Sequence, residues 1–180
     1  MDKGDTNFSG LLRKIEMVTQ GISVPLIIKE VGWGIHWKMA KQMFDAGVAA
    51  IDIAGAGGTS WSEVEMHRTS DPVRKQIASG FKDWGIPTAE ALIHIREHDK
   101  KNLIFASGGL KNGVDVVKCI ALGANLCGIA RPFLQAAAKS TSALNDYLEI
   151  LIAQVKVTMF AIGAGNIAEI NSEKIERIKY

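Results

Sequence analysis

The chain has 180 residues, of which 47% are hydrophobic and 22% are charged. This composition is typical of one globular domain and excludes a disordered chain. The net charge of +2, with Lys and Arg scattered along the sequence, argues against a nucleic-acid partner. The longest apolar runs are too short or too polar to span a membrane. We therefore expect a protein without a nucleic-acid or membrane partner.

The start of the chain and its cysteines point to the cytoplasm. Residues 1–5 read Met-Asp-Lys-Gly-Asp, with acidic residues where a secretory signal would be basic. Two cysteines, Cys119 and Cys127, provide neither a disulfide framework nor a zinc site. These features fit a reducing cytoplasmic location.

Short apolar segments alternate with longer segments of helical spacing along most of the chain. The short segments are too short for helices and nearly continuous in hydrophobicity, as in strands covered on both faces. The predicted strands are residues 24–28, 49–53, 103–106 and 125–129, and the predicted helices between and after them are residues 36–46, 88–97 and 113–122. This β-α-β-α order indicates a parallel sheet.

Helix ends and connections complete the prediction. Pro87 and Thr88 mark a helix start, and Gly47 and Gly123 stand where glycines end helices. Residues 62–85 form the longest connection and are expected to hold a short helix or a lid. One or two helices are predicted after Pro132, the stronger at residues 144–161, with a short charged terminal helix at residues 166–180.

The number of strands limits the architecture. Rapid return from helix to strand is common both in (β/α) barrels and in doubly wound sheets. A complete eight-stranded barrel needs about 250 residues, more than this chain has. A four-stranded open sheet leaves two apolar edges, which are seldom tolerated. We therefore expect either a partner at those edges or an incomplete gene product.

Two glycine-bearing turns follow predicted strands. Residues 106–110 read Ala-Ser-Gly-Gly-Leu, and residues 128–132 read Gly-Ile-Ala-Arg-Pro. Glycines let the backbone approach an anion closely, and the N–H groups of the turn and of the following helix point at it. Paired loops after the last two strands of a barrel form a recurrent phosphate site. Each motif alone could be only a tight turn, but their order favours phosphate binding.

Two further segments carry candidate binding residues. Residues 55–61, Gly-Ala-Gly-Gly-Thr-Ser-Trp, predict a backbone-lined surface on which Thr59 offers a hydroxyl. A flexible linker is the alternative, and Trp61 argues against it. Lys29 and Glu30 end the first predicted strand. A lysine at a barrel mouth indicates ligand binding, and the alternative is a Lys29–Glu30 pair that caps the barrel.

Other polar residues give weaker signals. Glu65 follows the glycine-rich loop and is a candidate either for proton transfer or for an ion pair with Arg68. His94 and His98 are spaced i, i+4 on a predicted helix but lack a third ligand. We therefore expect them at the surface and predict no metal site.

The longer motifs together resemble type 2 isopentenyl-diphosphate isomerase. Residues 24–34 read Val-Pro-Leu-Ile-Ile-Lys-Glu-Val-Gly-Trp-Gly, and residues 52–61 read Asp-Ile-Ala-Gly-Ala-Gly-Gly-Thr-Ser-Trp. The resemblance continues through residues 83–88, 106–109 and 121–124 and ends at residues 130–132, so it covers most of the chain. The Lys-Glu-x-Gly-x-Gly and Gly-Gly-Thr-Ser-Trp elements are specific within FMN barrels, whereas Ser-Gly-Gly and Gly-Ile-Ala are shared more widely.

The resemblance implies the C-terminal half of a (β/α)8 barrel: four parallel strands with helices and a C-terminal helical extension at residues 144–180, within a single partial domain at residues 1–180. It implies FMN at the C-terminal mouth of the barrel. It also implies interconversion of isopentenyl and dimethylallyl diphosphate, an isoprenoid reaction that uses reduced FMN and Mg²⁺, with NAD(P)H supplying the reduction. The flavin is expected to act as an acid–base catalyst.

The resemblance also assigns residues. Lys29 is expected to contact the flavin, and Thr59 its ribityl or phosphate region. Trp61 and Glu65 match positions near the substrate and are the catalytic candidates, Glu65 for proton transfer. Backbone N–H groups after the last two strands are expected to hold the phosphate. The implied cofactor-binding set is Lys29, Ala54, Thr59, Gly108, Gly109, Leu110, Lys111, Ala130 and Arg131.

One departure leaves alternatives open. In the family, a Gln-Glu pair that touches substrate and binds Mg²⁺ precedes the stretch that matches residues 4–6, and this chain begins just downstream of that pair. We expect a fragment or separately encoded half of the isomerase, paired with an N-terminal half-barrel. The alternatives are a non-catalytic FMN- or phosphate-binding half-barrel that forms a homo-oligomer, and another FMN-dependent barrel oxidoreductase.

Overall fold

The computed structural model describes residues 6–178. The strands are β1 Ile27–Lys29, β2 Ala50–Asp52, β3 Leu103–Ala106 and β4 Leu126–Cys127. The helices are α1 Leu11–Gly21, α2 Trp37–Asp45, α3 Trp61–Arg68, α4 Pro72–Ser79, α5 Thr88–His98, α6 Gly113–Ala121, α7 Arg131–Ala137 and α8 Thr141–Ala161. Two single-turn 3₁₀ helices follow, at Ile167–Glu169 and Ser172–Lys174. Among these residues, no helix combines the length and the apolar character that a membrane crossing requires.

The four strands form one parallel sheet in the order β1-β2-β3-β4. Each strand therefore pairs with the strand that precedes or follows it in the sequence. Doubly wound sheets instead reverse their strand order near the middle. The sequential order is that of neighbouring strands in a (β/α)8 barrel, so the structure separates two architectures that the sequence pattern had left open.

The predicted helix boundaries agree with the structure. Gly47 and Gly123 follow α2 and α6 with φ angles of +89° and +102°, the left-handed conformation that ends helices. Thr88 begins α5 as predicted. Residues 62–85 contain the remainder of α3 and all of α4, in place of one short helix.

The prediction of a terminal helix at residues 166–180 is wrong for its described part, and residues 179–180 lie outside the described residues, as do residues 1–5. Polar side chains that accept hydrogen bonds from nearby backbone N–H groups compete with the helical backbone. The Gly165 N–H donates to the Glu169 carboxylate at 2.7 Å, and the Asn171 side chain accepts from the Glu173 N–H at 3.1 Å. These local bonds favour single turns. Helix α1 was not predicted. None of its residues is buried, and Ile15 is its one apolar side chain that packs against the core.

One face of the sheet is covered by helices and forms the core. The central row of this face joins Ile28, Ile51 and Ile104 in register. Ile51 and Ile104 are fully buried, together with Leu92 and Ile95 of α5. Burial of such side chains contributes about 1.5–3 kcal/mol each. This packing places the strands so that their carboxyl ends share one edge.

The opposite face carries apolar side chains that the described helices do not cover. Its rows contain Ile27 and Leu103, and then Lys29, Asp52, Phe105 and Leu126 in register. Ile27, Leu103 and Leu126 are 49%, 47% and 55% exposed. Parallel sheets are normally covered on both faces. This uncovered sheet face is therefore unusual for an isolated domain.

Arg96 joins the helices to the amino ends of the strands. Its guanidinium donates to the carbonyls of Gly123 at 2.8 Å and Asn102 at 2.9 Å, and to the Asn125 side chain at 2.7 Å. Burial lowers the pKa of Arg96, and the attraction of Asp99 opposes this shift. Burial alone would raise the pKa of Asp99, but hydrogen bonds from Asn102 and from the Lys101 N–H outweigh it and lower that pKa.

We predict that the purified chain self-associates through the uncovered sheet face, because an exposed apolar sheet with two open edges seeks a partner. Leu126→Asp should shift the species measured by sedimentation velocity towards monomer. Val157→Asp, which changes an even more exposed apolar residue on α8, is the control and should not change the sedimenting species. A wild-type chain that sediments as a stable monomer would contradict this prediction.

Candidate functional site

A cleft of about 790 Å³ opens at the carboxyl ends of all four strands. Its size lies within the range of about 300–1,000 Å³ that is usual for small-molecule sites. Loops that follow each of the four strands line it. The lining includes every cofactor-binding residue predicted from the sequence, namely Lys29, Ala54, Thr59, Gly108, Gly109, Leu110, Lys111, Ala130 and Arg131.

Three side chains from neighbouring strand ends form one network in this cleft. The Lys29 ammonium lies 2.5 Å from Asp52 Oδ2 and donates to Ser107 Oγ at 2.9 Å. Ser107 Oγ in turn donates to Asp52 Oδ1 at 2.7 Å. The side chain of Lys29 is 56% exposed and that of Asp52 is 15% exposed. Asp52 was not predicted as a site residue, although this carboxylate ends an apolar strand just as Lys29 ends the preceding one, which was a usable signal.

Glu30 has a different role from the Lys29–Glu30 pair considered as the alternative. Its Oε2 accepts hydrogen bonds from the backbone N–H groups of Val31 at 2.6 Å, Gly32 at 2.7 Å and Trp33 at 2.6 Å. The partner of Lys29 is Asp52. Glu30 therefore shapes the loop after β1, and Lys29 remains directed into the cleft.

The loops after β2 and β3 pack directly against each other. A Cβ built on Gly109, where φ is +85°, would lie 2.6 Å from the carbonyl carbon of Gly57. A Cβ built on Gly108 would lie closer still to the carbonyl oxygen of Gly55. Thr88 Oγ1 donates to the carbonyl oxygens of Ser107 at 2.9 Å and Gly108 at 2.6 Å. The glycines are thus required for loop packing, in addition to the approach of an anion for which the sequence suggested them.

Several backbone donors at this cleft are free. Within residues 6–178, no protein group accepts a hydrogen bond from the N–H groups of Gly109, Leu110, Ala130 or Arg131. The expectation for Lys111 differs from the structure, because its N–H donates to the Asp115 carboxylate at 2.9 Å. The free donors lie on the two loops that were predicted to bind phosphate.

Tyr147 holds the Lys111 segment from the side of α8. Its hydroxyl donates to the Lys111 carbonyl at 3.1 Å. Burial, with the charge of Asp115 second, raises the pKa of Tyr147. The phenol therefore keeps its proton and its hydrogen bond over the neutral range.

A second cleft of about 640 Å³ lies beside the first and shares Glu30 with it. Its charged or titratable lining residues are Glu30, Asp83 and His36, among mostly apolar side chains. The first cleft has the cations Lys29, Lys111 and Arg131 as well as the free N–H groups. An anionic ligand therefore fits the first cleft and not the second.

The two predicted catalytic residues do not line the first cleft. The Trp61 indole N–H donates to the Val31 carbonyl at 2.9 Å and so ties α3 to the loop after β1. Glu65 is exposed on α3. The structure brings neither side chain to Lys29.

The histidines and cysteines of the chain lie outside the first cleft. Within residues 6–178, no group of three or more His, Cys, Asp or Glu side chains is arranged to hold a metal ion. His98 stacks on Trp37 with ring centroids 3.7 Å apart, which gives it a structural role at the surface. Cys119 and Cys127 are free thiols, and the Cys127 thiol donates to the Val116 carbonyl at 3.7 Å. The interaction between the two thiols lowers the pKa of Cys119 and raises that of Cys127.

We predict that Glu30→Ala destabilises the chain by about 1–3 kcal/mol, because it leaves three backbone N–H groups without their charged acceptor. Glu30→Gln, which keeps a neutral acceptor, should lose less. Urea unfolding followed by circular dichroism measures the change. Glu97→Ala removes an exposed glutamate without such bonds on α5 and should leave the midpoint unchanged. Equal midpoints for Glu30→Ala and Glu97→Ala would show that this carboxylate does not organise the loop.

Comparison with known families supplies a sequence match and named relatives. Residues 5–177 match the family described as FMN-dependent dehydrogenase. An isopentenyl-diphosphate delta-isomerase from Nostoc sp. strain PCC 7120 is 46% identical over 98% of this chain and 51% of its own length. The isomerase of the same name from Rickettsia bellii is 44% identical over 96% of this chain, and that from Synechococcus sp. is 45% identical over 97%. The chain spans about half the length of these curated relatives.

Solved structures support the fold. A soluble mutant of the membrane-associated (S)-mandelate dehydrogenase from Pseudomonas putida superposes with a TM-score of 0.75 at 18% identity, over 99% of this chain and 44% of that one. The L230A mutant of flavocytochrome b2 with benzoylformate gives a TM-score of 0.68 at 22% identity, over 92% and 38% of the two chains. At such identities the likeness concerns the fold alone. It confirms the prediction of four βα units of a (β/α)8 barrel.

Proposed function

Because the chain belongs to the FMN-dependent dehydrogenase family, we propose that it supplies the flavin-phosphate half of a type 2 isopentenyl-diphosphate isomerase. The observation that carries this proposal is the 44–46% identity to isomerases over nearly the whole chain. The substrate class is an isoprenoid diphosphate, and the reaction interconverts isopentenyl and dimethylallyl diphosphate. Mg²⁺ and NAD(P)H belong to the proposal as the metal and the reductant of the complete enzyme.

The residues of the first cleft fit FMN. Its phosphate needs several donors, and the free N–H groups of Gly109, Leu110, Ala130 and Arg131 provide them on two adjacent loops. Lys29 provides a cation for the ring system from the end of β1. When bound, reduced FMN supplies the acid–base chemistry at the allylic carbons. The chain binds its phosphate, orients the ring and keeps a positive charge beside it.

Trp61 and Glu65 are proposed to act on the substrate side. They lie on α3, one helical turn apart, directly after the glycine-rich loop. The Trp61 indole is already held by the Val31 carbonyl, so its ring is fixed as an apolar wall. Within the described residues, the Glu65 carboxylate has no hydrogen-bond partner. It is therefore available to hold or transfer a proton.

The uncovered sheet face supports a partner as part of the same proposal. Ile27, Leu103 and Leu126 are exposed apolar side chains that a partner would bury. Either a second copy of the chain or an N-terminal half-barrel would supply an apolar surface for this purpose. The free thiols of Cys119 and Cys127 fit a reducing cytoplasmic location.

We predict that Gly109→Val abolishes FMN binding measured by quenching of flavin fluorescence. The new side chain would collide with Gly57 and separate the two loops that carry the phosphate donors. Gly163→Val is the matched control, since Gly163 also has a positive φ angle, +66°, but has nothing within 4 Å of a built Cβ. FMN affinity at the wild-type level in Gly109→Val would contradict the phosphate site.

The activity is tested by isomerisation of isopentenyl diphosphate with reduced FMN, NADPH and Mg²⁺. We expect turnover when the N-terminal half of the Nostoc relative is added to the chain. Glu65→Gln should lower kcat by about 100-fold or more, the usual size of a lost general acid–base group. Glu63→Gln changes an exposed glutamate of the same helix and should retain activity. Flavin binding without turnover in the reconstituted protein would instead support a non-catalytic flavin-binding half-barrel.

A second candidate is an FMN-dependent oxidoreductase. The description of the matching family as FMN-dependent dehydrogenase favours it. Against it, no histidine is among the residues that line the first cleft in the described part of the chain, and hydroxyacid oxidoreductases use one as their base. Flavin reduction by a 2-hydroxy acid such as mandelate would support this candidate.

A further inference from the structure

We propose that Asp52 is a positioning residue that, together with Ser107, fixes the Lys29 ammonium as the cation of the flavin site. The inference rests on the proposed function, because it concerns how the cleft prepares for that cofactor. It assigns roles to two side chains that the comparisons leave without one.

The geometry leaves the Lys29 ammonium few alternative positions. It is held at 2.5 Å by Asp52 and at 2.9 Å by Ser107, from the two strands that follow β1 in the sheet. Ser107 is itself oriented by Asp52 Oδ1 at 2.7 Å. Asp52 Oδ1 also accepts from the Ala54 N–H at 3.2 Å. A long flexible side chain is therefore fixed at two points before any ligand enters.

Such prior fixing matters because lysine has several rotatable bonds, and immobilising them opposes binding. When the ammonium is already held in place, the loss of side-chain entropy occurs during folding and no longer opposes ligand binding. Its remaining hydrogen can then be donated to an anionic or carbonyl group in the cleft. Lys41, by contrast, pairs with Asp45 within one helix, exposed and outside this cleft.

The sign of the expected effect separates positioning from simple charge. Asp52→Asn removes one negative charge from the cleft, and by electrostatics alone this would strengthen the binding of anionic FMN. Asparagine keeps an oxygen for Ser107 and Ala54 but loses the ionic hold on Lys29. If Asp52 acts by positioning Lys29, Asp52→Asn must weaken binding.

We expect Asp52→Asn to raise the Kd for FMN by about tenfold, the size of one charge-assisted hydrogen bond. Ser107→Ala should raise it less, by about threefold, since it removes one neutral contact. In a Lys29→Met background, Asp52→Asn should change the Kd by less than about twofold, because the residue through which it acts is gone. Asp45→Asn, which breaks the exposed pair with Lys41, is the matched control and should bind FMN as the wild type does.

Two results of this cycle would overturn the inference. Tighter binding in Asp52→Asn would assign its effect to charge alone. If Asp52→Asn weakened FMN binding equally in the wild-type and Lys29→Met backgrounds, its effect would be assigned to local structure and not to Lys29. If the wild-type chain binds no FMN at all, the proposed function fails, and the inference is decided by a measurement that needs no flavin.

That measurement is a ¹H–¹⁵N spectrum selective for lysine ammonium groups in the cofactor-free chain. A firmly hydrogen-bonded ammonium exchanges its protons slowly and gives an observable signal. We expect one such signal to disappear in Lys29→Met and in Asp52→Asn, and to persist in Asp45→Asn. An unchanged signal in Asp52→Asn, or no signal from Lys29 in the wild type, would show that the ammonium is not fixed by this carboxylate.

Discussion

The candidate site depends on the direct contact between the backbones after β2 and β3. Gly109 lies against Gly57 and Gly108 against Gly55, at distances that no Cβ would permit. Thr88, at the start of α5, donates to both carbonyls of the second loop and so links the contact to the core helix. The strands are short, with two to four residues each. Loop contact of this kind therefore carries much of the alignment that longer strands provide in other sheets.

The same contact explains why the charged network can form. Ser107 directly follows β3 and precedes Gly108, and Asp52 ends β2 shortly before Gly55. If these loops separated, Ser107 would no longer reach Asp52 or Lys29, and the Lys29 ammonium would keep only Asp52, its partner on the adjacent strand. Buried or half-buried charges are tolerated only when they are paired and hydrogen-bonded. Loop packing and the placement of a cation are in this way one structural feature.

The sequence predicted the elements better than their contacts. Short apolar segments located all four strands within a few residues, because strands of a parallel sheet carry apolar side chains on both faces, here including the face that the described helices leave uncovered. Glycines at positions 47 and 123 located two helix ends for an equally direct reason, since a left-handed residue there favours glycine. The helix expected after residue 165 is wrong, because local side-chain bonds at Asn171 and Glu169 compete with it.

In the candidate site, too, the sequence predicted which residues come together but not the hydrogen bonds that they form. All nine predicted cofactor-binding residues line one cleft, since strand ends of a parallel sheet meet at one edge. The partners of those residues were not predictable: Glu30 bonds to its own loop, and Lys29 reaches two strands across the sheet. Lys111 gives its N–H to Asp115. Such pairings depend on side-chain rotamers and on distances across the fold. The spacing of motifs in the sequence contains no information on either.

The uncovered sheet face has a polar part, whose side chains find their partners within this chain, and an apolar part, whose side chains do not. Lys29, Asp52 and Ser107 satisfy one another, and every member comes from β1, β2 or the residue after β3. Ile27, Leu103 and Leu126 on the same face have no such partners among the described residues. The position of the Lys29 ammonium is therefore determined by this chain alone and does not require a partner that covers the apolar rows. The charged network thus rests on contacts within this chain, whereas the apolar rows depend on a cover that the described residues do not supply.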